Sequence, residues 1–132
     1  MIHHVQLACP AGSEDASRAF YAGVLGLVEI DKPPALASGG CWFRGHGVEL
    51  HLGVEADFRP ARKAHPALLV TGLDDWAARL TAAGYPVTPD DDLPGMRRCY
   101  AHDPHGNRLE FLEPAGDAVR PGHGRDAALC PS

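Results

Sequence analysis

The chain has 132 residues, of which 45% are hydrophobic and 22% charged, and its formal net charge is −5. That is the composition of an ordinary globular protein, long enough to bury a core without staples. The acidic balance argues against a nucleic-acid or anionic-membrane partner. No apolar run reaches the roughly eighteen residues that a bilayer span needs.

The first residues, Met1-Ile2-His3-His4-Val5, carry neither the basic region nor the apolar stretch of a secretory leader. Cys9, Cys41, Cys99 and Cys130 show no Cys-x-x-Cys spacing. They read as reduced thiols of a cytoplasmic protein rather than as a disulfide framework or a zinc ribbon.

In chain order, residues 2 to 9 read as a strand ended by Pro10-Ala11-Gly12. Ser13 suits a helix N-cap, with Glu14 and Asp15 at the positive end of the helix dipole. Ala16, Ala19, Phe20 and Val24 recur at helical spacing, and Gly26 suits the helix end. Leu27 to Ile30 is a short strand before Pro33-Pro34. Cys41 to Arg44 and Val48 to Leu52 read as a hairpin about Gly45-His46-Gly47, followed by a polar connection over 53 to 63.

The order then recurs. His65 to Val70 reads as a strand and Leu73 to Ala83 as a helix closed by Gly84. Pro86 to Thr88 is short and extended. Arg97 to Ala101 and Arg108 to Leu112 form a second hairpin about Asp103-Pro104-His105-Gly106-Asn107, a sequence suited to a turn. The chain is therefore an α+β protein of two βαβββ modules, module one over 1–56 and module two over 62–116. Together they form one domain over 1–116, and a loosely ordered tail covers 117–132. Paired curved sheets of this kind enclose a cleft.

The repeat carries chemistry. His4 and Glu49 are 45 positions apart, and so are His65 and Glu110. Each His opens the first strand of its module and each Glu lies in the last. Val48, Leu50 and Leu52 alternate with Glu49, and Leu109 and Phe111 with Glu110, so each Glu faces away from the apolar side of its strand. Either pair alone reads more simply as surface residues. Equal spacing in both modules points instead to one site of two imidazoles and two carboxylates, suited to a single divalent ion: zinc, nickel, iron, manganese or cobalt. His51 shares the face of Glu49 and competes with it, as the fourth ligand or as an acid–base group.

On these residues the chain resembles the vicinal-oxygen-chelate superfamily, which includes glyoxalase I, fosfomycin-resistance enzymes, extradiol dioxygenases and bleomycin-binding proteins. The segments that carry the resemblance are His3-His4-Val5-Gln6-Leu7, Ala19-Phe20-Tyr21 with Val24-Leu25-Gly26-Leu27, Val48-Glu49-Leu50-His51-Leu52, and Asp103 through Glu110. The resemblance spans residues 2 to 114. It implies metal ligands at His4, Glu49, His65 and Glu110, a set most similar to that of bacterial glyoxalase I, and a substrate contact at Tyr100. Arg98 shares the alternation face of Tyr100, and Gln6 that of His4, so both join the substrate-binding candidates.

The positions where glyoxalase I contacts glutathione are Ala8, Gly53 and Ala61 here, so the resemblance does not extend to that substrate. Gln6 stands where fosfomycin enzymes carry Thr. The expected activity is a metal-dependent lyase or isomerase acting on a small oxygen-rich molecule. Two neighbouring oxygens would be chelated while an enolate or alkoxide forms, and Glu110, Glu49 or His51 would move the proton. An extradiol-type dioxygenase and a drug-binding protein are the alternatives. Open strand edges and exchangeable modules point to a homodimer.

Overall fold

The computed structural model describes residues 1–36 and 38–116. The tail expected over 117–132 lies outside the described residues. Two four-stranded mixed sheets are formed. The first contains β1 (Val5–Cys9), β2 (Val28–Ile30), β3 (Cys41–Gly45) and β4 (Val48–Val54) in the order β1-β4-β3-β2. The second contains β5 (Ala67–Leu69), β6 (Thr88–Asp90), β7 (Met96–His102) and β8 (Arg108–Pro114) in the order β5-β8-β7-β6. In each sheet the first strand runs parallel to the last, while the other pairings are antiparallel. The two βαβββ modules read from the sequence are thus present, and the sheets are not closed into a barrel.

Alternation explains which side of each last strand is inside. Leu50 and Leu52 on β4, and Leu109 and Phe111 on β8, are fully buried and meet Phe20, Tyr21, Phe43 and Leu80 in one core. In module two, α2 (Leu73–Ala82) opens with Asp74 and Asp75 and buries Leu73, Trp76 and Leu80 at helical spacing.

The first helix departs from expectation. Only Glu14–Ser17, α1, is α-helical; the chain then widens into a π-type helix over Arg18–Val24. Leu25 N donates to Phe20 O at 2.9 Å, and Leu27 N to Tyr21 O at 2.9 Å. Ser13 does not cap the helix with its side chain; its hydroxyl turns back to the Pro10 carbonyl at 2.6 Å. The wider turn accompanies the complete burial of two large neighbours, Phe20 and Tyr21.

Two further boundaries moved. The strand expected from His65 starts at Ala67, because Pro66 has no N–H to give a ladder. The extended segment expected at 86 to 88 pairs instead at Thr88–Asp90.

A buried polar knot ties the modules together. Tyr21 in the π-type helix donates its hydroxyl to Asp103 Oδ2 at 2.6 Å, across to the β7–β8 turn. His105 N and Asn107 N both donate to Asp103 Oδ1 at 2.9 Å, and Asn107 Nδ2 donates to Asp103 Oδ2 at 3.0 Å. Asn107 Nδ2 also reaches the Ala8 carbonyl at 2.8 Å, and His105 Nε2 lies 2.8 Å from the buried Ser17 hydroxyl. His105 therefore joins the modules instead of being solvated, as a turn His would be. His46 likewise packs on Trp76 and lies 3.2 Å from the Leu25 carbonyl.

Cys9, Cys41 and Cys99 are free and buried. Burial pushes the Cys41 thiol up to about 11 and raises Cys9 and Cys99 as well. A thiol held protonated and inaccessible is a poor nucleophile. Maleimide labelling at neutral pH followed by peptide mapping is expected to leave these three unmodified until the protein is unfolded. Rapid labelling of any of them in the native protein would contradict the packing.

Candidate metal and substrate site

His4 and His65 each sit just ahead of the first strand of their module, and Glu49 and Glu110 lie in the last strands. A cleft of about 760 Å³ runs between β1 and the approach to β5. His4, Gln6, Glu49 and His65 line it, together with Glu55, Arg59 and apolar residues such as Ile2, Val5 and Leu68. Glu110 is nearly buried and reaches the cleft through His65, whose Nε2 is 2.9 Å from Glu110 Oε1.

The His65–Glu110 pair constrains what lies beside it. His65 Nδ1 is 2.8 Å from the Lys63 carbonyl, which can only accept, so Nδ1 carries the hydrogen. In the neutral ring Nε2 then presents a lone pair to a carboxylate oxygen. Two acceptors so close need a cation shared between them, either a proton or a metal ion. Metal-bound imidazoles commonly hold their other N–H against a backbone carbonyl in this way. The donor chemistry fits a divalent ion.

The first module builds its half differently. Glu49 Oε1 accepts from Arg44 Nε at 3.0 Å and Nη2 at 2.8 Å, and Glu49 Oε2 is 2.8 Å from His51 Nε2. His51 and then Arg44 hold the Glu49 carboxyl down at about 2, so it is fully ionised at neutral pH. His51 itself is nearly buried, stacked between Trp42 at 3.7 Å and His4 at 4.0 Å between ring centroids. Trp42 is only half-buried and forms a wall behind the first half-site. His3 touches His4, with the two Nδ1 atoms 2.9 Å apart.

Three of the four ligand candidates, His4, Glu49 and His65, line the cleft, and Glu110 lies behind them in contact with His65. Among the described residues, no three His, Cys, Asp or Glu side chains are grouped closely enough to hold a metal ion, so the expected four-ligand set is not drawn together in one chain.

Of the substrate candidates, Tyr100 lies against the second half-site, its ring centroid 5.6 Å from that of His65. The Arg98 guanidinium lies 5.3 Å from the Tyr100 centroid, with Nε held by Asp90 at 3.0 Å and Nη1 3.4 Å from Glu110 Oε2. Arg108 lies still closer to the same ring, at 4.0 Å. The sequence reading passed over Arg108, Arg44 and Arg59. The first two could have been found from hairpin register, since Arg44 is directly opposite Glu49 and Arg108 is one alternation step from Glu110.

Gln6 explains one missing contact of the glutathione type. Its side chain lies over Gly53, so that a Cβ added there would fall 2.7 Å from Gln6 Nε2. The space that a residue at 53 would occupy on the cleft face is already filled from β1.

Comparison with known proteins agrees with this architecture. A glyoxalase family protein from Bacillus anthracis is 45% identical, with a TM-score of 0.84 over 87% of this chain and 95% of that one. A lactoylglutathione lyase from Agrobacterium tumefaciens is 26% identical, with a TM-score of 0.62 over 83% of this chain and 91% of that one. A curated Arabidopsis thaliana protein named Glyoxylase I 4 is 41% identical over 51 residues, 39% of this chain but only 28% of its own length. Residues 1–111 match the family model as well, and with two βαβββ modules around one cleft the chain belongs to the Glyoxalase/Bleomycin resistance protein/Dioxygenase superfamily.

Proposed function

We propose that this protein is a metal-dependent lyase or isomerase of the glyoxalase type, acting on a small oxygen-rich molecule. The observation that carries this reading is the His65–Glu110 pair, with Nε2 2.9 Å from a carboxylate oxygen and the far ring nitrogen 2.8 Å from a backbone carbonyl. His4 and Glu49 on the same cleft complete the donor set, either within the chain or between chains. When bound, a divalent ion supplies Lewis acidity to two neighbouring substrate oxygens as negative charge develops there.

The chain's own residues divide the remaining work. Glu49 is gripped by Arg44 and His51 and serves as a fixed anionic ligand. Glu110 is held by His65 and only distantly by Arg98, so it is the carboxylate freer to take a proton from the substrate and return it. Trp42 and His4 keep His51 in plane, and His51 in turn aims Glu49. Tyr100 and Gln6 bound the substrate on either side.

Both β1 and β5 are edge strands, and pairing them with a second copy would remove exposed edges. A homodimer that draws His4 and Glu49 from one chain and His65 and Glu110 from the other is the arrangement we favour, because among the described residues of one chain the two pairs are not grouped into a single shell. The test uses protein purified without added metal. About one divalent ion per site is expected, with activity on hydroxy-carbonyl compounds that depends on the metal supplied. Mixing His4→Ala with His65→Ala protein is expected to restore metal binding in the heterodimer. Metal-free wild-type protein that still binds small molecules tightly would favour the drug-binding alternative, and no recovery on mixing would place each site within one chain.

A further inference from the structure

The lining of the cleft contains three carboxylate or imidazole ligand candidates, a second carboxylate at Glu55, many apolar side chains, and a single Lys or Arg, Arg59. Arg59 lies on the connection between the modules and is exposed, and among the described residues no carboxylate is recorded as its partner. Its backbone is nevertheless pinned on both sides. Phe58 packs edge-on against His105. Pro60 packs against the left-handed Gly106, where an added Cβ would fall 3.1 Å from the proline ring. Ala61 N donates to Asn107 Oδ1 at 3.0 Å, and Ala61 O accepts from Arg108 N at 2.9 Å. The Asp103 knot therefore holds the connection that carries this guanidinium at the cleft.

We propose that Arg59 determines specificity, and that the substrate bears one carboxylate on a largely apolar body, seated with that carboxylate against Arg59. This rests on the proposed function for the location of the reacting oxygens, but not for the charge of the substrate. A guanidinium unspent on the protein offers a fork of N–H donors matched to a carboxylate. A monoanion is the matched charge. Glu49 in the same cleft is already paired with Arg44 and Glu55 adds a further carboxylate, so a phosphate dianion would leave its second charge unmatched. The apolar walls from Ile2, Val5 and Leu68 take the uncharged body. The same residue accounts for a cleft that lacks the glutathione contacts at Ala8, Gly53 and Ala61 and still presents a cation: the recognition charge has moved to the connection.

The test compares protocatechuate, which carries adjacent oxygens and a separate carboxylate, with its neutral amide. Affinities are measured by calorimetry on the full chain, with and without added zinc. Wild-type protein is expected to bind the acid about tenfold more tightly than the amide, the range of one charge-assisted contact at a half-open site. In Arg59→Gln the two affinities become equal, and in Arg59→Lys most of the preference returns. An unchanged ratio in Arg59→Gln, no preference in the wild type, or no binding of either probe at millimolar concentration overturns the proposal. The outcomes separate it from the metal reading. A preference that follows Arg59 in a protein that takes up no metal defeats the metal reading alone. Metal uptake with a ratio indifferent to Arg59 defeats this one alone.

Discussion

His65→Ala is expected to abolish stoichiometric metal binding and catalysis while leaving the fold in place. His65 lies ahead of β5, separated from it by Pro66, with its side chain 22% exposed, so its removal opens no cavity among Phe111, Leu109 and Leu80. The stability change should stay within about 1 kcal/mol, as for other substitutions outside the core. The loss of metal affinity should exceed about a hundredfold, since even partners one shell beyond a ligand cost about 10–100-fold. Glu110 keeps only its long contact with Arg98 Nη1, 3.4 Å from its second oxygen, so any cost to the fold arises there. Circular dichroism and metal content on one sample decide the matter. Loss of secondary structure together with the metal would make the site structural. Full metal retention would remove His65 from the ligand set.

The second large effect falls on stability. Asp103→Ala should destabilise the protein by about 3–5 kcal/mol, the range for leaving several buried donors without an acceptor. Asp103 is nearly buried and accepts from Tyr21 Oη, His105 N, Asn107 N and Asn107 Nδ2. Alanine offers none of those acceptors and admits little water in their place. Burial first, and then the Asp103 carboxylate, push the Tyr21 phenol well above its ordinary range, so it remains a donor at every working pH. Tyr21→Phe removes one donor and keeps the ring that packs on Phe43, so its cost should be nearer 1 kcal/mol. Urea unfolding is expected to show a lower midpoint with an unchanged slope for both, and a double-mutant cycle should show coupling between Tyr21 and Asp103. A midpoint for Asp103→Ala within error of wild type would show that the knot is not needed for the fold.

The two modules were legible in the sequence because both hairpins alternate cleanly and the order recurs at similar length. The 45-residue spacing singled out His4, Glu49 and His65, which line the cleft, and Glu110, which contacts His65, since a repeat constrains two positions at once. The widened helix after Ser17 was not legible. The spacing of Ala19, Phe20 and Val24 fits a π-type turn and an α-helix about equally well, and the wider form goes with the joint burial of Phe20 and Tyr21. The roles of His46 and His105 were hidden for a different reason. Turn histidines read as solvated, whereas these two are claimed by partners on the other module, Trp76 and Ser17. Arg59 was invisible because a polar connection has no period. Only the placement of that connection across the cleft gives one of its charges a direction.

The stacking of Trp42 on His51 has an optical consequence. The indole lies within 3.7 Å and nearly parallel to the imidazole that steers Glu49, with a tilt of only 4°. Its emission is therefore tied by contact to the geometry of the first half-site. The chain has two tryptophans, and the other, Trp76, sits beneath Arg79 and beside His46 rather than against His51. One fluorophore is placed to register movement of His51, while the other answers to Arg79 and His46. The protein thus carries an intrinsic, label-free reporter of events at its own first half-site.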